Sequence, residues 1–275
     1  NEIEKVINLF FCISNFGKRQ SKGFGCFYPE NLSEKEFIKI VKDSGKSIYE
    51  GDESLRNGTQ ISTYFYDKII SKKWNELKSG LNLFWLHKPV YKKSEIFKYL
   101  ESKNLRWDKR WIKRNVKDLV DTHVLSKSLL QRKPGSTSDP IDIHGNNSWI
   151  DFTDEEYRFG RAMLGLAEHY EYQTVDKDVK YKVRVLHNEI ERFKSPVIFK
   201  IFDKSIFAIA EDIPSEMYDT PFTFEVQKKT KTDNEFRDDG APISIPNSLR
   251  TPTRNEFNLL DFLSNHFRHI GFKKL

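Results

Sequence analysis

At 275 residues the chain is long enough for one large or two ordinary domains whose cores need no cross-links. Its 46 Lys and Arg against 40 Asp and Glu leave a formal charge of +6, which favours an anionic partner without naming one. Cys12 and Cys26 form no CxxC pair and have no Cys/His ligand spacing, which argues against a disulfide scaffold or zinc module, and no apolar run approaches the roughly 20 residues of a membrane span.

No charged-then-apolar leader opens the sequence, so the expected setting is soluble and cytoplasmic, with no membrane partner. A helical pattern starts at once: Ile3, Val6, Ile7, Phe10 and Phe11 share one face, and Asn15 or Gly17 ends it. Residues 15–27, NFGKRQSKGFGCF, form a loop dense in glycine and cations, after which Cys26-Phe27-Tyr28 reads as a strand stopped by Pro29. One helix and one strand cannot bury each other, so the rest of this first unit is expected upstream or from another chain. Ser33-x-x-Glu36 is a capping box ahead of Phe37, Ile38 and Val41, in a segment short enough to leave helix and strand both open.

Residues 43–60 are polar and glycine-dotted and predict a loop. Helices are expected over Tyr64–Leu77, Lys93–Lys103 and Trp107–Val124, which makes 31–131 a mainly helical segment. Pro, Gly, Ser and Asn dominate 132–148, RKPGSTSDPIDIHGNNS, the clearest linker. Residues 149–275 turn β-rich: VKYKVRVL alternates from Val179, VIFKI and IFAIA flank FDKS as a hairpin, and FTFEV is a further strand. Residues 228–248 read as a mobile loop, Glu256–His269 as an amphipathic helix and Gly271–Leu275 as a last strand. The class is α+β.

The loop at 15–27 has the ingredients of a phosphate site but not the order of a Walker or dinucleotide loop. Those run strand, loop, helix, whereas this is helix, loop, strand, with no GK[ST]. What remains is a segment in which Gly17, Gly23 and Gly25 admit a polymer backbone while Lys18, Arg19 and Lys22 reach its phosphates; an ordinary loop with solvated charges is the alternative. Further along, RWDKRWIKRNVK sets Arg106, Arg110 and Arg114 at i+4 steps beside Trp107 and Trp111. That suits phosphate contact with base stacking, or equally core tryptophans with cations at their edge. Arg192 is placed either to meet phosphate or to pair with Glu189 or Glu191. The histidines include no HExxH, and His266/His269 lack an evident third ligand, so no metal, cofactor or catalytic residue is expected.

NFGKRQSKGFG resembles the glycine-rich loop of the RAMP superfamily of CRISPR-associated proteins: Gly17, the basic KRQSK and Gly23-Phe24-Gly25 match in spacing, with Asn15 where a glycine usually stands. RAMLGLAEHYEY (Arg161–Tyr172) followed by ERFKSPVIFKI (Glu191–Ile201) resembles tandem-domain subunits of type III-B (Cmr-type) effectors, which carry a Gly-Leu-Pro turn and an Arg-x-x-Ser-Pro segment. Ala167 replaces the proline, Gly271 stands alone where a second glycine-rich loop would lie, and residues 30–150 match nothing.

The resemblance implies ferredoxin-like (RRM-related) RAMP domains. Residues 1–30 would be the end of a first one, incomplete at its N-terminus, and 149–275 a second, with the helical segment 31–131 and the linker 132–148 between. It further implies a non-catalytic RNA-binding subunit that contacts guide RNA and/or target RNA beside other CRISPR effector subunits in antiviral defence. A related branch cuts precursor guide RNA without metal by means of a histidine, which makes His144 and His169 the candidates for an endoribonuclease alternative.

Overall fold

The computed structural model of the protein describes residues 2–17, 19–54, 69–85, 88–119, 154–173, 176–203 and 205–275. Lys18, His144 and the linker 132–148 lie outside them. In chain order come α1 (Glu2–Ile13), α2 (Glu34–Asp43), β1 (Ser47–Ser54), α3 (Ser71–Lys78), β2 (Leu81–Trp85), β3 (Lys88–Lys92) and α4 (Glu95–Ser102). The two-residue strand β4 (Arg106–Trp107) runs directly into α5 (Asp108–Leu119). Then follow β5 (Tyr157–Arg158), β6 (His169–Gln173), β7 (Val179–Leu186), β8 (Val197–Phe202) and β9 (Ser205–Ala210). The chain closes with β10 (Pro221–Thr232), β11 (Glu235–Asp238), β12 (Ile243–Ser244), β13 (Leu249–Arg250), α6 (Leu259–His266) and β14 (Phe272–Lys274).

A four-stranded antiparallel sheet in the order β14-β1-β9-β8 organises the molecule. Both its faces are covered, which is why VIFKIF and IFAIA read as nearly unbroken apolar runs. Ile206, Ala208 and Ala210 turn into the main core with residues of α3, α4 and α6, while Phe207 and Ile209 turn the other way, onto Cys12 of α1 and Phe37 and Val41 of α2. A second antiparallel sheet runs β11-β10-β7-β6, with β12 and β13 also on β10, and its inward Val183, Phe222, Phe224 and Val226 join the main core. Among the described residues no helix is long and apolar enough to cross a membrane.

Most expected elements form. Ser33 and Glu36 cap α2 reciprocally, which resolves that segment as helix. Four expectations need correction. Residues 47–54 are not loop: β1 sits between β9 and β14, its Ile48 and Tyr49 buried in opposite faces, so neighbours rather than composition make it a strand. The middle segment thus carries β1 and the β2/β3 hairpin beside its helices. Cys26–Tyr28 forms only a bridge from Cys26 to Asn15, because the chain there turns back on itself. Residues 228–248 continue β10 and return as β11 and β12, paired along the backbone. Finally, α1 buries Cys12 and leaves Ile3, Val6, Ile7 and Phe10 exposed, together with Phe27.

Candidate nucleic-acid interface

The glycine-rich loop is moored to β8. Ser21 O accepts from Phe199 N at 3.1 Å, and Lys22 bridges to Phe199 in parallel register. Asn15, in the place of the usual glycine, is buried and does the stapling: its Nδ2 donates to Gln20 O at 2.6 Å and to Phe199 O at 2.9 Å, and its Oδ1 accepts from Cys26 Sγ. The next residue of β8, Lys200, is buried on the α1 side, where Nζ donates to Phe11 O at 2.6 Å and Ser14 O at 2.8 Å, the free carbonyls at the end of α1. Burial pulls its ammonium down to about 8.

Within the loop, Gly17, Arg19, Gly23 and Gly25 all take left-handed dihedrals. Gly25 is required by the protein itself, since a Cβ there would lie 2.0 Å from Phe16 O, whereas one on Gly17 would meet nothing within 4 Å. The loop therefore presents Gly17 and Arg19 outward. Arg19 is exposed, with its guanidinium 5.7 Å from the Phe24 ring centre, and Lys22 is half-buried.

The second motif closes against the same strand. Leu166 N donates to Phe193 O at 2.9 Å, and a Cβ on Gly165 would lie 3.1 Å from the Ser195 backbone, so the Gly-Leu turn and the Ser-Pro segment need each other's close approach. Ser195 and Pro196 lead directly into β8. Two sequence patterns some 150 residues apart thus converge on Phe199.

The family model described as Cmr1 N-terminal domain matches residues 1–81, and that described as Cmr1 C-terminal domain matches residues 91–273. The chain belongs to the Cmr1 family. It is a Cmr-type, type III-B CRISPR-associated RAMP protein, and membership places it among the subunits that assemble into Cmr complexes. No curated protein and no solved structure matches the chain.

In this Cmr1-family chain the arginines after β3 are less open than their spacing suggests. Trp107 stacks on Phe97 at 4.6 Å, Trp111 packs on Phe224 at 5.5 Å, and both are buried, so the indoles belong to the core and not to a stacking platform. Arg114 lies over the Tyr157 ring at 5.4 Å, Arg106 shares a cleft with Glu101 and Glu156, and Arg110 is half-buried. Arg192 is exposed just ahead of the Ser-Pro turn.

Sequence reading missed a group of interior cations. Arg161, on the 3-10 turn Gly160–Leu164, bonds through Nε to Asp108 Oδ2 at 2.5 Å, and its guanidinium lies 4.1 Å from the Tyr170 ring centre and 5.8 Å from that of Trp107. Lys78, at the end of α3, donates to the carbonyls of Leu164 and Gly165. Lys109 lies over Tyr91 at 4.8 Å and Trp107 at 5.3 Å. Lys78 and Arg161 carry no periodic signal in the sequence and Lys109 is one cation among several in its run, so only the fold assembles the three.

The histidines also regroup. Glu95 Oε2 lies 2.9 Å from Nδ1 of both His266 and His269, supplying a carboxylate that spacing could not reveal. Its other oxygen accepts from Lys98 at 2.6 Å, so two imidazoles and an ammonium already share this carboxylate, a brace between α4 and the end of α6. Burial pushes the Glu95 carboxyl up, but the bonds from His266, Lys98 and His269 outweigh it and hold it at about 2. His169 lies in β6 with Nδ1 buried and without a hydrogen-bond partner.

Proposed function

We propose that the protein is a non-catalytic RNA-binding subunit of a type III-B effector ribonucleoprotein, holding guide or target RNA on residues 17–25. The observation that carries this reading is the mooring of the loop by Asn15 and Phe199: it holds a left-handed backbone in place and leaves Gly17 and Arg19 facing outward. A preset loop gives a strand its phosphate contacts without the entropy of ordering the chain at each encounter. The sheet order supports the rest of the reading. Numbered along the chain, its strands lie last-first-third-second, all antiparallel, which is the arrangement of a ferredoxin-like domain. In this reading the residues between β1 and β8 and between β9 and α6 are elaborations of that domain. The exposed stripe of α1 would then pack against the remainder of a first unit, from the same polypeptide or a neighbouring subunit.

The test is RNA binding by the triple variant Lys18→Ala/Arg19→Ala/Lys22→Ala across a salt series. Each lost phosphate contact should reduce the slope of log K against log salt by about 0.7–0.9. Unchanged affinity and slope would overturn the assignment. Incubation with labelled repeat RNA in the absence of metal tests the non-catalytic part, and cleavage lost in His144→Ala or His169→Ala would show a nuclease instead.

A further inference from the structure

The interior cations pose a problem of charge. Lys78, Lys109 and Arg161 come from three separate elements, and Lys22 of the glycine-rich loop is near enough to Lys78 to repel it. Among the described residues the carboxylate facing them is Asp108, wholly buried and already spent on Arg161. The other titratable groups around them are Lys113 near Lys109, and Tyr91, Tyr170 and Tyr172, whose hydroxyls burial pushes up so that they stay neutral. Assembling like charges out of water is unfavourable unless a counter-charge is supplied.

Two polar groups also go unused. Arg161 is about nine-tenths buried and more, yet its Nη2 has no hydrogen-bond partner, and neither has the Tyr170 hydroxyl. The Tyr172 hydroxyl lies beside the same guanidinium without a well-formed bond to it. The Arg161 Nη2 and Tyr170 hydroxyl atoms are buried, while Lys22 and Lys109 at the edge of the cluster retain partial exposure.

We infer that Lys78, Lys109, Arg161 and Tyr170 form a seat for one phosphate group of the RNA strand that runs over the glycine-rich loop. A tetrahedral oxyanion supplies what the cluster lacks, namely negative charge for three cations and acceptor oxygens for Arg161 Nη2 and the Tyr170 hydroxyl. Lys22 links the loop to the seat, so a strand crossing residues 17–25 has its next cations beneath it. That the phosphate belongs to RNA rests on the function proposed above; that the seat takes an oxyanion does not.

The protonation of the cluster agrees. Burial, then repulsion from Arg161 with Lys22 or Lys113, brings both Lys78 and Lys109 to about 7 against the opposing pull of Asp108. An anion favours their charged forms, so binding takes up protons and weakens as pH rises through 7.

Sulfate is the probe, because its charge is constant across this range. With the 275-residue chain at fixed ionic strength, sulfate should raise the melting temperature saturably against chloride controls, more at pH 6 than at pH 8. Lys109→Met, which keeps an apolar stem over Tyr91 and Trp107, should weaken the sulfate effect about tenfold or more. It should also lower the salt slope of RNA binding by about 0.7–0.9. No saturable effect of sulfate in the unmodified chain would overturn the seat. Sulfate binding with an RNA salt slope untouched by Lys109→Met would overturn its assignment to RNA and leave a site for a free oxyanion. Should the loop triple variant bind RNA normally while Lys109→Met does not, the loop reading falls and the seat stands.

Discussion

The chain from Arg106 to Lys117 carries cations in two settings with opposite surroundings. Arg106, Arg110 and Arg114 keep partial contact with water, Arg106 in a cleft with Glu101 and Glu156 and Arg114 over the Tyr157 ring. Lys109 turns instead toward Tyr91, Trp107 and Arg161, where one carboxylate answers several positive charges. Ion pairs open to water add little to stability, because water screens what they gain. In the second setting the cations are coupled to one another, and removing one partner exposes the charge of the rest. The stripe read from spacing and the group assembled by the fold are thus different sets of cations.

The largest effect that would sharpen this contrast comes from Asp108→Asn. It deprives the buried Arg161 of its carboxylate and should cost about 3–5 kcal/mol, read by urea unfolding. A loss below about 1 kcal/mol, the range of solvated pairs, would break the distinction.

An intermediate case is Lys200, buried like Lys78 and held by carbonyls. Lys200→Met leaves the Phe11 and Ser14 carbonyls without their donor and should cost about 1–3 kcal/mol. Its pH signature has a definite sign. The folded group titrates near 8 against 10.5 for a free lysine, so between those values the unfolded chain binds more protons. Its share of the stability is therefore fully present above 10.5 and lost as pH falls through about 8. Denaturation midpoints of the unmodified chain should carry this upward component from pH 8 to 10, and the Lys200→Met variant should lack it.

The smallest effect belongs to the outer row. Arg114→Ala gives up its place over Tyr157 and should cost under about 1 kcal/mol in unfolding experiments. Its RNA affinity should change less than that of the loop triple variant. A larger loss in binding than in the loop variant would move the interface to α5.

Local chemistry was legible wherever one segment contained its own explanation. The Ser33–Glu36 box starts α2, the alternation of VKYKVRVL makes β7, and Asp203 takes a left-handed turn between the apolar strands β8 and β9. The glycine-rich loop and the Ser-Pro segment were legible as motifs for the same reason. Nothing local marks SIYEGDES as a central strand: its backbone is satisfied by β9 and β14, and a Cβ on Gly51 would lie 3.2 Å from the Phe272 ring. The stripe on α1 shows the converse, a clear periodic signal whose apolar residues stay exposed among the described residues.

By itself, then, the amino-acid sequence determined the α+β class, most helices and strands, and two motifs whose spacing marks a RAMP protein. Only the tertiary structure decided that both motifs meet at Phe199, that Glu95 joins His266 and His269, and that Lys78 and Lys109 lie close to the buried Arg161–Asp108 pair. The reason is range. Helix caps, turns and periodicity act over a few residues and are written in the chain, whereas the free energy of a buried charge depends on neighbours that long-range packing brings beside it.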